Sequence, residues 1–260
     1  MHIEIQGLGK AFPHSRHGAR EVLTDIDLTV RSGEFLSVVG PSGCGKSTLL
    51  EIVAGLQQPS RGTITIDGLP LAKSPCNRAI VFQQYGLFPW LTVRKNIEYG
   101  LKIRKVDKQR RRLASDKYME MVHLNGYGDY YPHELSGGMQ QRVALARSLA
   151  TEPDVLLLDE PFAALDVLTK EQCAQELLAI WQETKLTVMY VTHDVTEAVM
   201  LSDRIVVLGR PPKNVRAELE VPIARPRTLG TKLVEAFRLL EHQARLAINE
   251  EARESERCLA

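Results

Sequence analysis

The sequence predicts an α/β fold in which a mostly parallel core sheet receives a helical insertion. Three observations carry this prediction. A glycine-rich loop at residues 40–48 separates a strand-like apolar run from a helical one. In the second half of the chain, short apolar runs alternate with stretches of helical period, the order that builds a parallel sheet. Between about residues 90 and 150 the period is helical throughout, with few β-branched residues.

The predicted strands are short apolar or alternating runs bounded by Gly and Pro. In the first third of the chain, which is β-rich, they are Ile3–Gln6, Leu28–Val30, Glu34–Val39, Thr63–Ile66 and Ala79–Phe82. In the second half they are Val155–Leu158, Thr187–Val191 and Arg204–Leu208. Helices are predicted over Ser47–Ala54, Thr169–Glu183 and Thr196–Leu201.

We expect residues 1–226 to form one domain, with a helical subdomain at about 90–150, and residues 227–260 to form a helical tail. A helix docked on its own domain is favoured for this tail over a partner-binding element. The reason is a single apolar stripe at helical spacing, made of Leu233, Phe237, Leu240, Ala244 and Ala247.

Composition limits the class of protein. The 260 residues are 44% hydrophobic and 25% charged with a net charge of +1, so no global field draws the chain to nucleic acid or to an anionic membrane. The N-terminus has neither a basic leader nor an apolar core, and no apolar run approaches the ~18 residues of a spanning helix. Zinc-ligand spacing is absent from the cysteines, Cys44, Cys76, Cys173 and Cys258. We expect a soluble cytoplasmic protein with reduced thiols.

A dense basic stretch runs from Lys102 to Arg112, where seven of eleven residues are Lys or Arg and Asp107 is the single acid. No aromatic residue interleaves with these charges, as stacking on nucleic-acid bases requires. A solvated helix face is therefore favoured over a nucleic-acid patch, and a position near anionic lipid headgroups also fits the charge.

The glycine-rich loop carries the first functional prediction, because it matches the phosphate-binding pattern G-x-x-x-x-G-K-[ST] between a strand and a helix. Its glycines let successive N–H groups point at an anion, and the helix N-terminus adds positive charge. The lysine reaches the β- and γ-phosphates and the following serine hydroxyl ligates Mg²⁺. We predict nucleoside triphosphate binding by Gly40, Pro41, Ser42, Gly43, Cys44, Gly45, Lys46, Ser47 and Thr48.

A second chemical feature is the apolar strand at residues 155–158, which ends in Asp159 and Glu160. In an open α/β sheet the carboxyl end of a strand faces the ligand crevice. Asp159 is predicted to hold Mg²⁺, and Glu160 to orient and polarise the attacking water.

A third motif, Leu-Ser-Gly-Gly-Met-Gln-Gln-Arg at residues 135–142, opens a helix predicted from about Met139. Its start offers a second set of N–H groups to an anion. Lying between the phosphate loop and the acidic strand, it resembles the signature motif of ATP-binding cassette (ABC) ATPases. The resemblance extends to Gln83 as the Q-loop glutamine, to Ala164-Leu165-Asp166 as the D-loop, and to His193 as the switch histidine.

This resemblance implies a P-loop NTPase of the ABC type, with an antiparallel N-terminal β part, that binds ATP and Mg²⁺. In that family two nucleotide-binding domains sandwich two ATPs head to tail, so one copy of each motif implies a homodimer. The signature residues of one chain then meet the γ-phosphate held by the other. Ser136 and Gly138 make the contacts, and Gly137 belongs to the same binding loop.

The resemblance also assigns roles to single residues. It implies that Gln83 senses Mg²⁺ and the attacking water and that His193 hydrogen-bonds the γ-phosphate, which with Glu160 completes the catalytic set. Asp166 couples the two sites across the dimer. Phe12 lies where the family places an aromatic residue that stacks on adenine.

Within the family, residues 84–93, 142–150, 159–166 and 192–208 are similar to the nitrate, sulfonate, taurine and bicarbonate importers. This implies the ATPase subunit of an importer at the cytoplasmic face of the inner membrane, with permease subunits and an extracytoplasmic solute-binding protein as partners, and no nucleic acid. A groove beside the Q-loop, lined by Tyr85, Phe88 and Trp90, could receive a permease helix, or each of these aromatic residues could equally pack within the helical block. The alternatives are an exporter subunit or a soluble ABC ATPase acting on nucleic acid or the ribosome.

Overall fold

The computed structural model describes residues 1–14 and 18–259. Its strands in chain order are β1 (Ile3–His14), β2 (Gly18–Val30), β3 (Phe35–Val39), β4 (Arg61–Ile66), β5 (Leu69–Pro70), β6 (Arg78–Val81), β7 (Val155–Asp159), β8 (Thr187–Thr192), β9 (Arg204–Leu208) and β10 (Val215–Glu220). The helices are α1 (Lys46–Ala54), α2 (Val93–Ile103), α3 (Lys108–Met121), α4 (Gly137–Leu149), α5 (Val167–Thr184), α6 (Val195–Leu201) and α7 (Glu235–Leu259). Short 3₁₀ turns cover Pro132–Glu134 and Leu229–Leu233.

The chain divides into two compact units. The first comprises Met1–Pro75 and Thr187–Ala260, and the second comprises Cys76–Leu186. The second unit contains the predicted helical subdomain and extends beyond it on both sides. The predicted domain boundary at residue 226 stays a prediction.

The first unit contains two sheets. An antiparallel sheet has the order β2-β1-β4-β5, with Ile3 paired to both Val30 and Ile66. This confirms the antiparallel N-terminal β part. In the other, β3 lies between two parallel neighbours, β8 and β9, and β10 pairs antiparallel with β9. All five residues of β3 are buried, as expected for a central strand covered on both faces.

A hydrophobic cluster in the first unit joins α6 and α7 to the sheet. Phe237, Leu240 and Ala244 of α7 pack with Val199 of α6 and with other buried residues of this cluster. Ala247 is partly buried against the same cluster, so the predicted stripe of the C-terminal helix is confirmed at four positions. It is wrong at Leu233, which lies in the 3₁₀ turn before α7 and is 72% exposed.

A buried ion pair holds the two sheets of the first unit together. Arg204 of β9 donates from Nε to Glu34 Oε1 at 2.8 Å, and both side chains are almost fully buried. The same guanidinium pairs with Glu218 at 2.6 Å and donates to the carbonyl of Thr29 in β2. A buried arginine requires this degree of pairing, because an unpaired charge away from water is costly.

The second unit combines the parallel pair β6 and β7 with four helices. Its helices α2, α3 and α4 pack on one another, so the predicted helical block is confirmed. The helix α4 begins at Gly137, two residues earlier than expected, because Ser136 caps it by accepting a hydrogen bond from the Met139 N–H. No helix in the described part of the chain is long and apolar enough to cross a membrane.

Candidate functional site

The predicted site residues are divided between the two units, and the phosphate loop lies in the first. It connects the buried strand β3 to α1, as the motif predicts. Gly43 and Gly45 adopt φ values of 77° and 102°, which other residues rarely tolerate. Gly40 is needed for a different reason, because a side chain there would collide with the backbone carbonyl of Leu208 in β9. The loop is thus shaped by backbone constraints at three positions.

Lys46 and Ser47 open the helix α1. Lys46 is buried, and its Nζ donates to the carbonyls of Gly40 at 2.9 Å and Pro41 at 3.1 Å, so the ammonium lies folded over the loop. Ser47 is exposed on the first turn. Gly45, the N-cap, has no side chain to satisfy the amides of this turn. The helix therefore presents N–H groups, a cation and a hydroxyl together, which is the chemistry that binds phosphate.

His193 follows β8 and is exposed immediately before α6. The next residue, Asp194, caps α6 by accepting from the N–H groups of Thr196 and Glu197 at 2.9 and 3.3 Å. The backbone on both sides of the histidine is therefore held by regular structure, while its ring remains open to solvent.

Glu197 is a residue that the sequence reasoning missed. Its buried Oε2 accepts hydrogen bonds from Tyr190 Oη at 2.7 Å and from Thr192 Oγ1 at 2.8 Å. The carboxylate thereby ties α6 to the end of β8, on either side of His193. An acidic residue in the first turn of the helix that follows the histidine was the available signal.

Phe12 lies in β1 opposite Arg20 of β2 and is half-buried. The Lys10 ammonium lies 5.0 Å from the centre of its ring, within the range of a cation–π contact. Its predicted role in stacking on adenine stays a prediction.

The acidic pair lies in the second unit, where Asp159 ends β7 and Glu160 follows it, both half-buried. Glu160 has a φ of 42°, a left-handed conformation that is unfavourable for a glutamate. Strain of this kind collects at functional positions, where the backbone re-aims a side chain. The end of the strand therefore places two carboxylates at adjacent positions, the second on a left-handed backbone.

The signature loop is also in the second unit. Ser136 and Gly137 are exposed, whereas Gly138 is buried. A Cβ on Gly138 would lie 2.5 Å from the Thr169 side chain of α5, so the start of α4 approaches α5 too closely for any other residue. A Cβ on Gly137 would lie 3.3 Å from the Tyr85 hydroxyl. The exposed serine and glycine thus form a narrow surface at a helix N-terminus.

Asp166 caps α5, and its side chain is exposed to solvent. Its Oδ1 accepts from the Thr169 N–H at 3.1 Å. Hydrogen bonds from Thr169 hold the pKa of this carboxyl below its usual range. The residue is therefore ionised at neutral pH, and its carboxylate lies at the surface, held at the start of α5.

Gln83 is exposed just beyond β6, at one side of a groove of about 550 Å³. Tyr85 lines this groove, as do the residues Gln84, Gly86, Leu87, Pro89, Pro132, His133, Gln140 and Ala164. Phe88 and Trp90 do not line it, contrary to expectation. Phe88 instead packs against Trp90 and Tyr99, with ring centres 5.7 and 4.3 Å apart.

Arg147 of α4 supports this groove and was also missed. Its guanidinium donates to the carbonyls of Gly86 at 2.6 Å and Tyr85 at 3.0 Å, and burial lowers its pKa. The loop after Gln83 is therefore fastened to α4, the helix that begins with the signature residues.

No group of three or more His, Cys, Asp or Glu that could hold a metal ion occurs among the described residues.

The chain has a phosphate loop that follows a buried strand, and another of its strands ends in two acidic residues. These features define the class of phosphate-loop nucleoside triphosphatases.

Comparison with known proteins identifies the family. The ABC transporter family model matches residues 23–163, just over half of the chain. The nitrate import ATP-binding protein NrtD of Synechocystis is 46% identical over 85% of this chain and 83% of its own. The bicarbonate transport ATP-binding protein CmpC of Synechococcus elongatus is 45% identical over 87% of this chain but 35% of its own. The chain belongs to the ABC transporter family.

The fold agrees with a solved relative. A dimeric ATP-binding cassette in a post-hydrolysis state, bound to ADP and Pi, superimposes with a TM-score of 0.75. It is 32% identical, and the match covers 85% of this chain and all of that one. The protein is therefore an ATP-binding ATPase cassette of the ABC type.

Proposed function

We propose that this chain is the ATP-hydrolysing, energy-coupling subunit of an importer for a small oxyanion such as nitrate. The observation that carries the proposal is its 46% identity, over most of both chains, to a nitrate import ATP-binding protein. Bicarbonate is likewise a small oxyanion, and sulfonates and the zwitterion taurine carry a sulfonate group of similar character. The oxyanion is then selected by partner chains, because the motifs of this chain are directed at a nucleotide.

ATP binding is supported by the geometry of the phosphate loop. The N–H groups at the start of α1 and the Lys46 ammonium would bind the β- and γ-phosphates. Ser47 would supply a hydroxyl, Asp159 a carboxylate oxygen and Gln83 an amide oxygen, the kinds of donor that Mg²⁺ prefers. When bound, Mg²⁺ neutralises the charge that develops on the phosphates. A site with few protein ligands suits this ion, which arrives with the nucleotide and keeps several waters.

Hydrolysis requires a water aligned with the γ-phosphorus. Glu160 would accept its proton as the oxygen–phosphorus bond forms and the bond to ADP breaks. His193, exposed between β8 and α6, would donate a hydrogen bond to the γ-phosphate. Glu160→Gln should therefore bind ATP with little change while turnover falls by about a hundredfold or more.

A second copy of the chain would complete each site. Ser136 and Gly137 are exposed at the N-terminus of α4, where they can meet the γ-phosphate of the partner. Val167 and Leu168, directly after Asp166, are exposed apolar side chains that an interface would cover. ATP bound between two copies would stabilise the closed homodimer, and hydrolysis would release it.

The permease would dock in the groove beside Gln83. Its lining mixes Tyr85, Leu87 and prolines with amide side chains, a surface suited to a short amphipathic helix. Because this groove adjoins the Q-loop glutamine, occupancy by the permease can be sensed at the nucleotide. The chain would accordingly be peripheral at the cytoplasmic face of the inner membrane, and an extracytoplasmic solute-binding protein would act through the permease.

The experiment that tests this proposal is affinity purification of the tagged chain from its native membranes in mild detergent. Co-purification of a polytopic membrane protein is expected, with ATPase activity that is lost in Glu160→Gln. Glu152→Gln is the matched control, because Glu152 is an exposed glutamate with a similar φ of 48°. Recovery of nucleic acid or ribosomes without a membrane protein would contradict the proposal. Efflux in place of uptake by the reconstituted complex would assign the exporter role instead.

A further inference from the structure

The turn between α2 and α3 concentrates positive charge. Residues 102–112 contain seven Lys or Arg and one Asp, a net charge of +6 in a chain whose total is +1. The structure places them at the end of α2, in the turn and on the first residues of α3. Lys105 reverses the chain with a φ of 59°. We call residues 102–113 the α2–α3 tip.

Three of these seven cations are used within the second unit. Arg104 donates to the Thr151 carbonyl at 3.0 Å and to an asparagine side chain, which anchors the turn. Arg111 donates to the Val106 carbonyl, and Arg110 pairs with the cap Asp107 at 3.4 Å. The other four are exposed and, among the described residues, make no ion pair: Lys102, Lys105, Lys108 and Arg112.

The same tip exposes large apolar side chains. Ile103 is 66% exposed and Leu113 is 64% exposed, and Tyr99 on the preceding turn of α2 is partly exposed. Single exposed apolar residues are ordinary, but here two stand among four free cations within twelve residues. Apolar side chains flanked by Lys and Arg are the pattern of elements that lie in a membrane interface. A nucleic-acid surface would instead place stacking rings among the charges.

We propose that the α2–α3 tip binds the anionic headgroups of the membrane, with Ile103 and Leu113 entering the headgroup layer and the four free cations pairing with lipid phosphates. Charge complementarity selects this partner, because the cytoplasmic leaflet carries a negative surface potential. The chain then contacts the bilayer directly, in addition to any permease. This contact does not depend on the nucleotide chemistry proposed above.

The strength of the contact follows from the charge count. Each Lys or Arg near an anionic surface strengthens binding about fivefold. Four such residues would together strengthen vesicle binding by several hundredfold if all lay at the surface. Because they do not all reach it fully, we expect their removal to weaken the measured affinity by about thirtyfold or more. The contribution of the charges disappears at high salt, whereas that of the apolar side chains persists.

The test is flotation of the purified full-length chain with lipid vesicles. Vesicles with about 30% phosphatidylglycerol in phosphatidylcholine are compared with pure phosphatidylcholine. The wild-type chain should bind the anionic vesicles but not those of pure phosphatidylcholine, and it should dissociate in about 0.5 M salt. The quadruple variant K102Q/K105Q/K108Q/R112Q should lose about thirtyfold in affinity. A double variant, Ile103→Ser with Leu113→Ser, should bind more weakly with the same dependence on salt.

A matched control separates the tip from total charge. The variant K73Q/K185Q/K213Q/R238Q removes the same charge from exposed positions elsewhere and should bind like wild type. Basal ATPase activity and the thermal melt should be unchanged in both quadruple variants, since none of these residues lies in the nucleotide machinery. The proposal is overturned if the wild-type chain binds vesicles equally well with and without phosphatidylglycerol. It is also overturned if both quadruple variants lose the same affinity for the anionic vesicles. It is also overturned if a single-stranded oligonucleotide displaces the vesicles through the same four residues.

Discussion

Replacing Arg227 with methionine should strongly destabilise the first unit. Arg227 is 2% exposed, and its guanidinium makes six hydrogen bonds to five backbone carbonyls. Three of these carbonyls, those of Val199, Met200 and Ser202, lie at the C-terminal end of α6. A helix leaves its last carbonyls without partners, and a cation at this end also complements the helix dipole. Arg227 thus caps α6, the helix that follows His193.

The magnitude follows from what the substitution leaves behind. Methionine keeps most of the volume but has no N–H group, so five carbonyls lose a charged donor at once. A hydrogen bond to a charged group contributes about 1.5–3 kcal/mol, but such terms do not add, since the protein also bears the cost of burying the charge. Loss of a buried charged partner typically costs about 3–5 kcal/mol, which is our estimate for Arg227→Met. In a chain of this size that lowers Tm by roughly 6–20 °C.

The predicted loss should be independent of pH near neutrality. Burial lowers the pKa of Arg227 to about 10, with Arg225 contributing in the same direction. A base with a lowered folded-state pKa carries its penalty at every pH below that value, and the penalty is relieved only as the pH rises from about 10 toward the unfolded value. The difference in Tm between wild type and variant should therefore be equal at about pH 6 and pH 8.

The assay is thermal unfolding followed by circular dichroism, with limited proteolysis to locate the unfolded segment. Arg227→Lys should be intermediate, because three ammonium donors cannot serve five carbonyls. Arg31→Met is the control, since Arg31 is exposed and pairs with Glu220 at the surface, and its loss should cost about 1 kcal/mol or less. A Tm for Arg227→Met within about 3 °C of wild type would refute the capping argument.

Three further predictions concern other parts of the chain. Glu34→Leu removes the buried carboxylate that pairs with Arg204 and leaves it only the more exposed one of Glu218. Denaturant titration should show a loss of about 3 kcal/mol, against less than about 1 kcal/mol for the exposed pair removed by Glu220→Leu. Asp166→Ala should lower Tm at neutral pH, and the difference should vanish as the pH falls through the lowered pKa of Asp166, where wild type loses its carboxylate too. Gly138→Ala should cost about 1–3 kcal/mol by crowding α5, a loss eased when the facing threonine is replaced by serine.

The parts of the fold that the sequence predicts are those with local causes. Strands β3 and β9 are mostly apolar, apart from Ser37 and Arg204, and the phosphate loop combines glycines of fixed spacing with a lysine. The strand β10 was missed although Val215–Glu220 alternates apolar and charged residues, which is the pattern of a half-buried strand. It pairs with β9 at the edge of its sheet.

The residues that were missed act through distant partners. Asn214 accepts from the Thr24 N–H at 2.7 Å across 190 residues, and Arg227 reaches carbonyls that are more than twenty residues away. A single sequence does not show such pairings, since they arise only when the sheets assemble. Glu197 was easier to predict than these two residues, because its partners lie within seven residues of it, although they belong to a different element. The motifs that bind a ligand could therefore be predicted from the sequence, whereas the residues that hold these motifs in place could not.

The left-handed backbone at Glu160 has a consequence for how this chain tolerates change. A glycine there would relax the main chain, and such relief amounts to about 1 kcal/mol. A variant without the carboxylate proposed to activate water should thus be slightly more stable than the wild type. Libraries screened for heat resistance alone should drift toward glycine at residue 160, while those screened for turnover should retain glutamate. Comparing the amino acids enriched at residue 160 in the two libraries would then measure the conflict between thermal stability and catalytic turnover at this position.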